Sequence, residues 1–166
     1  MVDPGLTTLE AVALAVRSEI ESTDIYEKLA ARVKNPEVKK ILTELADDEE
    51  KHRQGLMNLY QRMLGDQEAA IPESDGREKK MNLAEDAAYE QVLQAARDKE
   101  FDSENFYKEA AAKVREYRTR MFFLDVAESE RKHAATLQKL LDRLKEDPHW
   151  FERDEADPYK GQHVGP

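Results

Sequence analysis

The stretches ADDEEKHRQ (residues 46–54) and AESERKHAA (residues 127–135) each place a glutamate three residues before a histidine. In an α-helix this spacing puts the two side chains on one face, about one turn apart. The two motifs are Glu49-x-x-His52 and Glu130-x-x-His133. One such motif occurs by chance in many acidic helices. The interpretation of the fold therefore depends on whether the two copies belong to a larger pattern.

The two motifs belong to an internal repeat with an offset of 81 residues. When residues 15–62 are aligned without a gap to the residues 81 positions later, about 14 of the 48 pairs are identical. Loose alignment of two helical hairpins rich in Ala, Glu and Lys explains the matched alanines, but not the matched polar and aromatic residues. Those pairs are Glu19 with Glu100, Ser22 with Ser103, Tyr26 with Tyr107, Glu49 with Glu130 and His52 with His133. We infer a repeated helical hairpin.

The composition excludes several classes of function. The chain has 166 residues, about one domain, and contains no cysteine, which excludes disulfides, thiol nucleophiles and iron centres held by cysteine. A net charge of −10 argues against nucleic-acid binding. No apolar run approaches the roughly 20 residues of a membrane span. Because the N-terminus has no signal-peptide pattern, we expect a cytoplasmic protein that binds neither nucleic acid nor membrane.

Capping residues and helix breakers divide the chain into four helices. Thr7 with Glu10 forms a capping-box pattern, and Asn35 precedes a proline at the first helical position. Gly65 ends the second helix, a segment rich in breakers follows, and Asn82 is a third candidate cap. The helices are predicted over about residues 8–33, 36–64, 83–115 and 117–145.

The connections between these helices indicate the fold class. A short turn joins the first two helices and another joins the last two, whereas the middle connection is long. Two antiparallel hairpins joined by a long crossover form an all-α, ferritin-like four-helix bundle. We predict this domain over residues 1–146, with the repeat at about 8–64 and 89–145. The prediction for residues 147–166 is an irregular tail.

The repeated glutamates and histidines lie on the apolar seams of the predicted helices. In the second helix, for example, Glu49 and His52 lie between Leu45 and Leu56 at heptad spacing. In each hairpin the two glutamates are equidistant from the turn, by about 15 residues or roughly 22 Å. Four carboxylates and two imidazoles are therefore predicted to meet in one buried layer.

Four buried carboxylates require compensation, because removing isolated charges from water is costly and like charges repel. They can take up protons, pair with Lys or Arg, or bind metal, and no Lys or Arg lies on the central part of the seams. Two divalent cations would balance four carboxylates. The candidate metal ligands are Glu19, Glu49, His52, Glu100, Glu130 and His133. This is the ligand set of di-iron and di-manganese carboxylate bundles.

On these residues, together with Tyr26 and Tyr107, the chain resembles the rubrerythrin branch of the ferritin-like family over about residues 8–145. The resemblance implies that Glu49 and Glu130 bridge two iron ions and that Glu19 and Glu100 are terminal ligands. It also implies that His52 and His133 each cap one iron.

Two features depart from the two-domain rubrerythrins. Those proteins carry an extra glutamate three residues after the helix-three ligand, where this chain has Ser103. Glu104 is one residue further and is predicted to lie off the seam, so redox-linked ligand exchange is not implied. The rubredoxin domain is also missing, because the chain lacks cysteine. Electrons are therefore expected from a separate donor protein.

The resemblance implies a non-haem di-iron oxidoreductase in which ferrous iron reacts with peroxide or dioxygen, as a peroxidase or a ferroxidase. The family also suggests a homodimer. Two alternatives stay open on the residues alone. One is a metal-binding module that holds zinc or manganese without turnover, and the other is a metal-free helical interaction domain.

Three further residues are candidates for roles at this layer. Tyr26 and Tyr107 lie seven residues after Glu19 and Glu100 and are candidate catalytic residues. Their hydroxyls could bond ligand carboxylates or serve electron transfer, and the alternative is a core tyrosine. Asp48 is a candidate partner for the histidine of the opposite hairpin. An exposed aspartate is the alternative.

Overall fold

Four long α-helices and one short 3₁₀ helix make up residues 7–71 and 87–154, which the computed structural model describes. The helices are α1 (Thr8–Arg32), α2 (Pro36–Leu64), α3 (Tyr89–Lys113) and α4 (Tyr117–Glu146), and the 3₁₀ helix covers Trp150–Glu152. Within the described ranges there is no β-strand, and no helix is both long and apolar enough to cross a bilayer. The predicted all-α arrangement of two helical hairpins is confirmed.

The helix ends confirm most of the capping predictions. The Thr7 hydroxyl accepts a hydrogen bond from the Glu10 amide at 3.2 Å, and the Glu10 carboxylate accepts from the Thr7 amide at 2.9 Å. The Asn35 side chain accepts from the Glu37 amide at 2.9 Å. Gly65 ends α2 at a φ of +66°, a conformation that favours glycine. The cap predicted at Asn82 lies outside the described residues.

The apolar core is divided into two clusters. One cluster includes Leu29, Leu42, Leu93, Leu137 and Phe151. The other includes Val16, Leu56, Leu59, Phe123 and Val126. The repeated glutamates lie between the two along the helices, so a polar layer interrupts an otherwise apolar bundle interior.

The segment after α4 covers one end of the bundle. The side chains of Trp150 and Phe151 are buried, and the Phe151 carbonyl accepts hydrogen bonds from the amides of Lys34 and Asn35 at 3.0 and 3.1 Å. The Asn35 side chain donates to the Trp150 carbonyl at 3.1 Å. This differs from the irregular tail predicted from residue 147, because the two aromatic side chains bury apolar surface against the turn between α1 and α2. Residues 155–166 lie outside the described residues.

Candidate metal centre

The structure brings all six predicted ligand residues into one layer at the middle of the bundle. α1 and α3 contribute one glutamate each, and α2 and α4 contribute one Glu-x-x-His motif each, as the seam positions predict. The four glutamates are fully buried, whereas the side chain of His52 is 12% exposed and that of His133 is 5% exposed. The residues are Glu19, Glu49, His52, Glu100, Glu130 and His133.

The potential ligand atoms form two groups of four, and within each group all atoms lie within 4.8 Å of one another. The first group is Glu19, Glu49, His52 and Glu130; the second is Glu49, Glu100, Glu130 and His133. Glu49 and Glu130 therefore belong to both groups, and the other four residues belong to one group each. Two adjacent cation positions that share two carboxylates fit this arrangement.

The first histidine reaches three carboxylates through one nitrogen. Nδ1 of His52 lies 3.0 Å from Oε1 of Glu130, which belongs to the other hairpin. The same nitrogen lies 3.6 Å from Oε2 of Glu49 and 3.8 Å from Oε2 of Glu19.

The second histidine repeats this pattern with the hairpins exchanged. Nδ1 of His133 lies 2.7 Å from Oε1 of Glu49, on the opposite hairpin. It lies 3.7 Å from Oε2 of Glu130 and 4.0 Å from Oε2 of Glu100. The repeat is therefore expressed as an approximate two-fold symmetry of the site.

Seven buried side-chain atoms in this layer have no hydrogen-bond partner among the described residues. They are both oxygens of Glu49 and of Glu130, Oε2 of Glu100, and Nδ1 of His52 and of His133. The nitrogen and oxygen atoms lie close together, but none of these contacts has the geometry of a hydrogen bond. Orphaned buried polar atoms are rare in folded proteins, because each loses the free energy of its contact with water. Carboxylate oxygens and imidazole nitrogens with free lone pairs are suited to bind a metal.

The two tyrosines donate hydrogen bonds to Glu19 and Glu100, the glutamates that belong to one group each. The Tyr26 hydroxyl donates to Oε1 of Glu100, and the Tyr107 hydroxyl donates to Oε1 of Glu19. Each bond joins α1 to α3, so each tyrosine reaches the glutamate of the other hairpin. Burial, followed by the adjacent carboxylate, raises the pKa of both hydroxyls well above 10, and both therefore remain neutral donors.

In the absence of a cation, protons supply the compensating charge. Burial and then the charge of Glu49 raise the pKa of Glu19 to about 8, and burial followed by the adjacent carboxylate of Glu130 raises the pKa of Glu100 well above its usual value. Burial lowers the pKa of His52, but the adjacent carboxylates, Glu130 first, outweigh this effect and raise the pKa to about 12. The same balance raises the pKa of His133 to about 10. Bound cations would compete with these protons.

Sequence reasoning placed Glu104 off the seam, and the structure places it in the interior instead, at 9% exposure. The apolar face of α3 runs through residue 104, while Ser103 is only partly buried. Glu104 forms an ion pair with Lys108 and belongs to neither group of potential ligand atoms. The spacing of Glu104 and Lys108, four residues apart on one helix, was the available signal for this pair.

A protein-family model described as rubrerythrin matches residues 10–99 and 91–160 of the chain. Among curated proteins, none matches.

Three solved structures from different organisms have a similar fold. A hypothetical protein from Pyrococcus furiosus is 23% identical with a TM-score of 0.73, over 85% of this chain and 92% of that one. A dodecameric thioferritin from Bacteroides fragilis is 18% identical with a TM-score of 0.68, over 88% and 90% of the two chains. A manganese catalase from Anabaena is 18% identical with a TM-score of 0.67, over 100% and 82%. The family match spans most of the chain, and the chain therefore belongs to the rubrerythrin family and has a ferritin-like four-helix bundle.

Proposed function

We propose that this protein is a non-haem di-iron oxidoreductase that reacts with peroxide or dioxygen. The observation that carries the proposal is the set of seven buried carboxylate and imidazole atoms without hydrogen-bond partners, arranged as two overlapping groups of four residues. A metal-free interaction domain would have no use for such a layer, because each orphaned atom lowers the stability of the bundle.

The distances support a division of roles among the ligands. Glu49 and Glu130 lie near both histidines and belong to both groups, so they would bridge the two ions. Glu19 and Glu100 each belong to one group and would be terminal ligands. His52 and His133 would each hold one ion through Nδ1. The resemblance to rubrerythrins implies the same division from the sequence.

Iron is the proposed metal because of the family, and it would supply one-electron redox chemistry toward peroxide or dioxygen. A donor set of carboxylates and imidazoles also suits manganese and zinc. One similar structure is a manganese catalase, which makes manganese the second candidate metal. A site that holds manganese or zinc without turnover remains the alternative function.

The residues of this chain prepare the site for that chemistry. Tyr26 and Tyr107 hold Glu100 and Glu19 in place by hydrogen bonds, and the two apolar clusters keep bulk water away from the layer. His52, the most exposed of the six residues, marks the side of the layer nearest to solvent. Electrons would come from a separate protein. The cytoplasmic location and the homodimer are also proposals.

The test is a metal titration followed by an oxidant. Anaerobic protein is titrated with Fe²⁺, the bound iron is counted, and hydrogen peroxide is then added while ferric absorbance is followed in the near ultraviolet. We expect two iron ions per chain and their stoichiometric oxidation. Glu104→Gln removes a buried carboxylate outside the layer and should bind two ions, whereas Glu49→Gln should bind fewer.

The possible outcomes separate the candidate functions. Two bound iron ions that do not react with peroxide or dioxygen would contradict the oxidoreductase. Tight zinc with no uptake of Fe²⁺ would keep the ligand set and favour the alternative function. A chain that binds no divalent metal would contradict both.

A further inference from the structure

We propose that the two metal positions are inequivalent, and that the position at His133 and Glu100 binds its ion first and more tightly than the position at His52 and Glu19. The difference arises from Asp48, a positioning residue whose carboxylate lies 3.6 Å from the outer nitrogen of the His133 ring. This inference rests on the proposed metal-binding function and concerns residues outside the ligand set.

The outer nitrogen of His133 faces two polar side chains. Nδ1 of this ring points into the layer, and Nε2 lies 3.6 Å from Oδ2 of Asp48 and 3.4 Å from the hydroxyl of Ser129. Asp48 belongs to α2 and His133 to α4, so the contact crosses between the hairpins. Lys51 holds the carboxylate of Asp48 from the solvent side at 2.6 Å.

The repeat shows what the other half lacks. An offset of 81 residues relates Asp48 to Ser129, so the position from which Asp48 approaches His133 is occupied by a serine in the other half. Over residues 7–71 and 87–154, the ion pairs of His52 all involve Nδ1, and no side chain forms a hydrogen bond or an ion pair with its Nε2. Half of the site therefore has a carboxylate behind its histidine and half does not.

A carboxylate behind a ligating histidine has a known physical effect. It accepts the outer N–H, which fixes the tautomer with the lone pair directed at the metal, orients the ring and increases its basicity. Loss of such a partner typically weakens metal binding by about 10-fold to 100-fold.

The experiment is a titration of the full metal-free chain with Co²⁺, followed by calorimetry and by visible absorption. We expect the first and second Co²⁺ ions to bind in two separate steps. Repulsion between the two cations would separate these steps even in a symmetric site, so the test depends on how variants change each step. Asp48→Asn should weaken the tighter step by about 10-fold to 100-fold and leave the weaker step within about 3-fold. Ser129→Asp places a carboxylate at the position equivalent to that of Asp48 and should tighten the weaker step.

A control separates the contact from general electrostatics. Asp47→Asn removes the same charge from an exposed neighbouring residue. It should leave the tighter step within about 3-fold of the original. A spectroscopic readout identifies the first ion: with one Co²⁺ per chain, the shifted ring N–H proton signal in the NMR spectrum should persist in His52→Ala and disappear in His133→Ala.

The outcomes distinguish this inference from the proposed function. A chain that takes up two Co²⁺ ions, but in which Asp48→Asn changes neither step or both steps equally, would overturn the inequivalence and leave the metal-binding function intact. A first ion that still binds tightly in His133→Ala would do the same. Failure to bind Co²⁺, Fe²⁺ or any other divalent ion would contradict the function itself.

Discussion

The two hairpins have the same residues at the buried layer and partly different residues around it. Four pairs at the buried layer are identical between the halves: Glu19 and Glu100, Tyr26 and Tyr107, Glu49 and Glu130, and His52 and His133. Several pairs just outside the layer differ, among them Ser18 and Lys99, Thr23 and Glu104, Asp48 and Ser129, and Gly55 and Thr136.

The site constrains the residues of the layer more closely than it constrains their neighbours. Inside the layer, each residue must meet its counterpart across an approximate two-fold axis, so both halves need the same side chain. Outside it, an unlike pair can be an advantage. The ammonium of Lys99 donates to the hydroxyl of its own counterpart, Ser18, at 2.6 Å, which two serines or two lysines could not do in this way.

The largest expected effect is a difference in metal-dependent stabilisation between a variant of a shared carboxylate and a variant of an unshared one. Glu49 belongs to both groups of ligand atoms and Glu19 to one, so Glu49→Gln should weaken both metal positions and Glu19→Gln mainly one. Metal at about 1,000 times its dissociation constant stabilises a protein by about 4 kcal/mol. For a chain of this size that raises the Tm by roughly 8–16 °C. Thermal melts with and without Fe²⁺ should show most of this increase lost in Glu49→Gln and part of it kept in Glu19→Gln. Equal losses would remove the distinction.

The next effect is a pH dependence of the metal-free protein. Folding raises the pKa of Glu19 to about 8, so the folded chain keeps a proton that the unfolded chain releases above about 4.5. The free energy of unfolding therefore falls as the pH rises from about 5 to 8. The raised pKa values of His52 and His133, about 12 and about 10, act in the same direction above pH 6.5. Glu49, whose pKa is lowered, acts in the opposite direction only below about pH 4.5.

Each unit of pKa shift corresponds to about 1.4 kcal/mol, so the loss between pH 5 and 8 should be on the order of a few kcal/mol. Urea unfolding at several pH values measures it. The stabilisation by added metal should increase over the same range, because the metal competes with protons for the ligands. Metal-free protein that becomes more stable from pH 5 to 8 would show that protons do not compensate the layer.

A third test concerns an unlike pair, Gly55 and Thr136. A Cβ atom on Gly55 would lie 2.6 Å from Cε2 of Phe122 on α4, closer than side chains pack. Alanine favours a helix over glycine by about 1 kcal/mol, so Gly55→Ala should be stabilising only when Phe122 is also truncated. We expect a coupling free energy of about 1–2 kcal/mol between Gly55→Ala and Phe122→Ala in a double-mutant cycle. The exposed Asn58→Ala provides the control and should show no coupling with Phe122→Ala beyond about 0.5 kcal/mol.

The sequence predicted α1, α2 and α4, the caps at Thr7, Asn35 and Gly65, and the six residues of the layer, because these depend on local spacing. The predicted start of the third helix was wrong, since α3 begins at Tyr89 and not near residue 83. Glu49 and His52 share a face through their separation of three residues, and equal distances from a turn place residues side by side in a hairpin. Capping depends on the local backbone, and Thr7, Asn35 and Gly65 cap the helix ends as predicted.

The parts that sequence did not predict depend on how the hairpins dock. The tyrosines reach the glutamates of the opposite hairpin, and only the distance between α1 and α3 decides that. The rotation of α3 about its axis buries Glu104 and leaves Ser103 partly exposed. Phe151 packs at the end of the bundle, where its side chain is buried and its carbonyl accepts from two amides of the first turn. Both contacts depend on residues distant in the sequence.

The smallest effect tests whether the two halves are equivalent inside the layer. Tyr26→Phe and Tyr107→Phe each remove one buried hydrogen bond to a glutamate of the other hairpin, and each should lower the free energy of unfolding by about 1–2 kcal/mol. Both hydroxyls are neutral donors in the same kind of contact, so the two losses should agree within about 0.5 kcal/mol. Urea unfolding of the metal-free variants measures both, with the exposed Tyr117→Phe as the control, which should change the stability by less than 0.5 kcal/mol. Because the inequivalence inferred for the metal positions originates at Asp48, outside the layer, unequal losses at the tyrosines would place a second source of asymmetry among the residues that the repeat keeps identical.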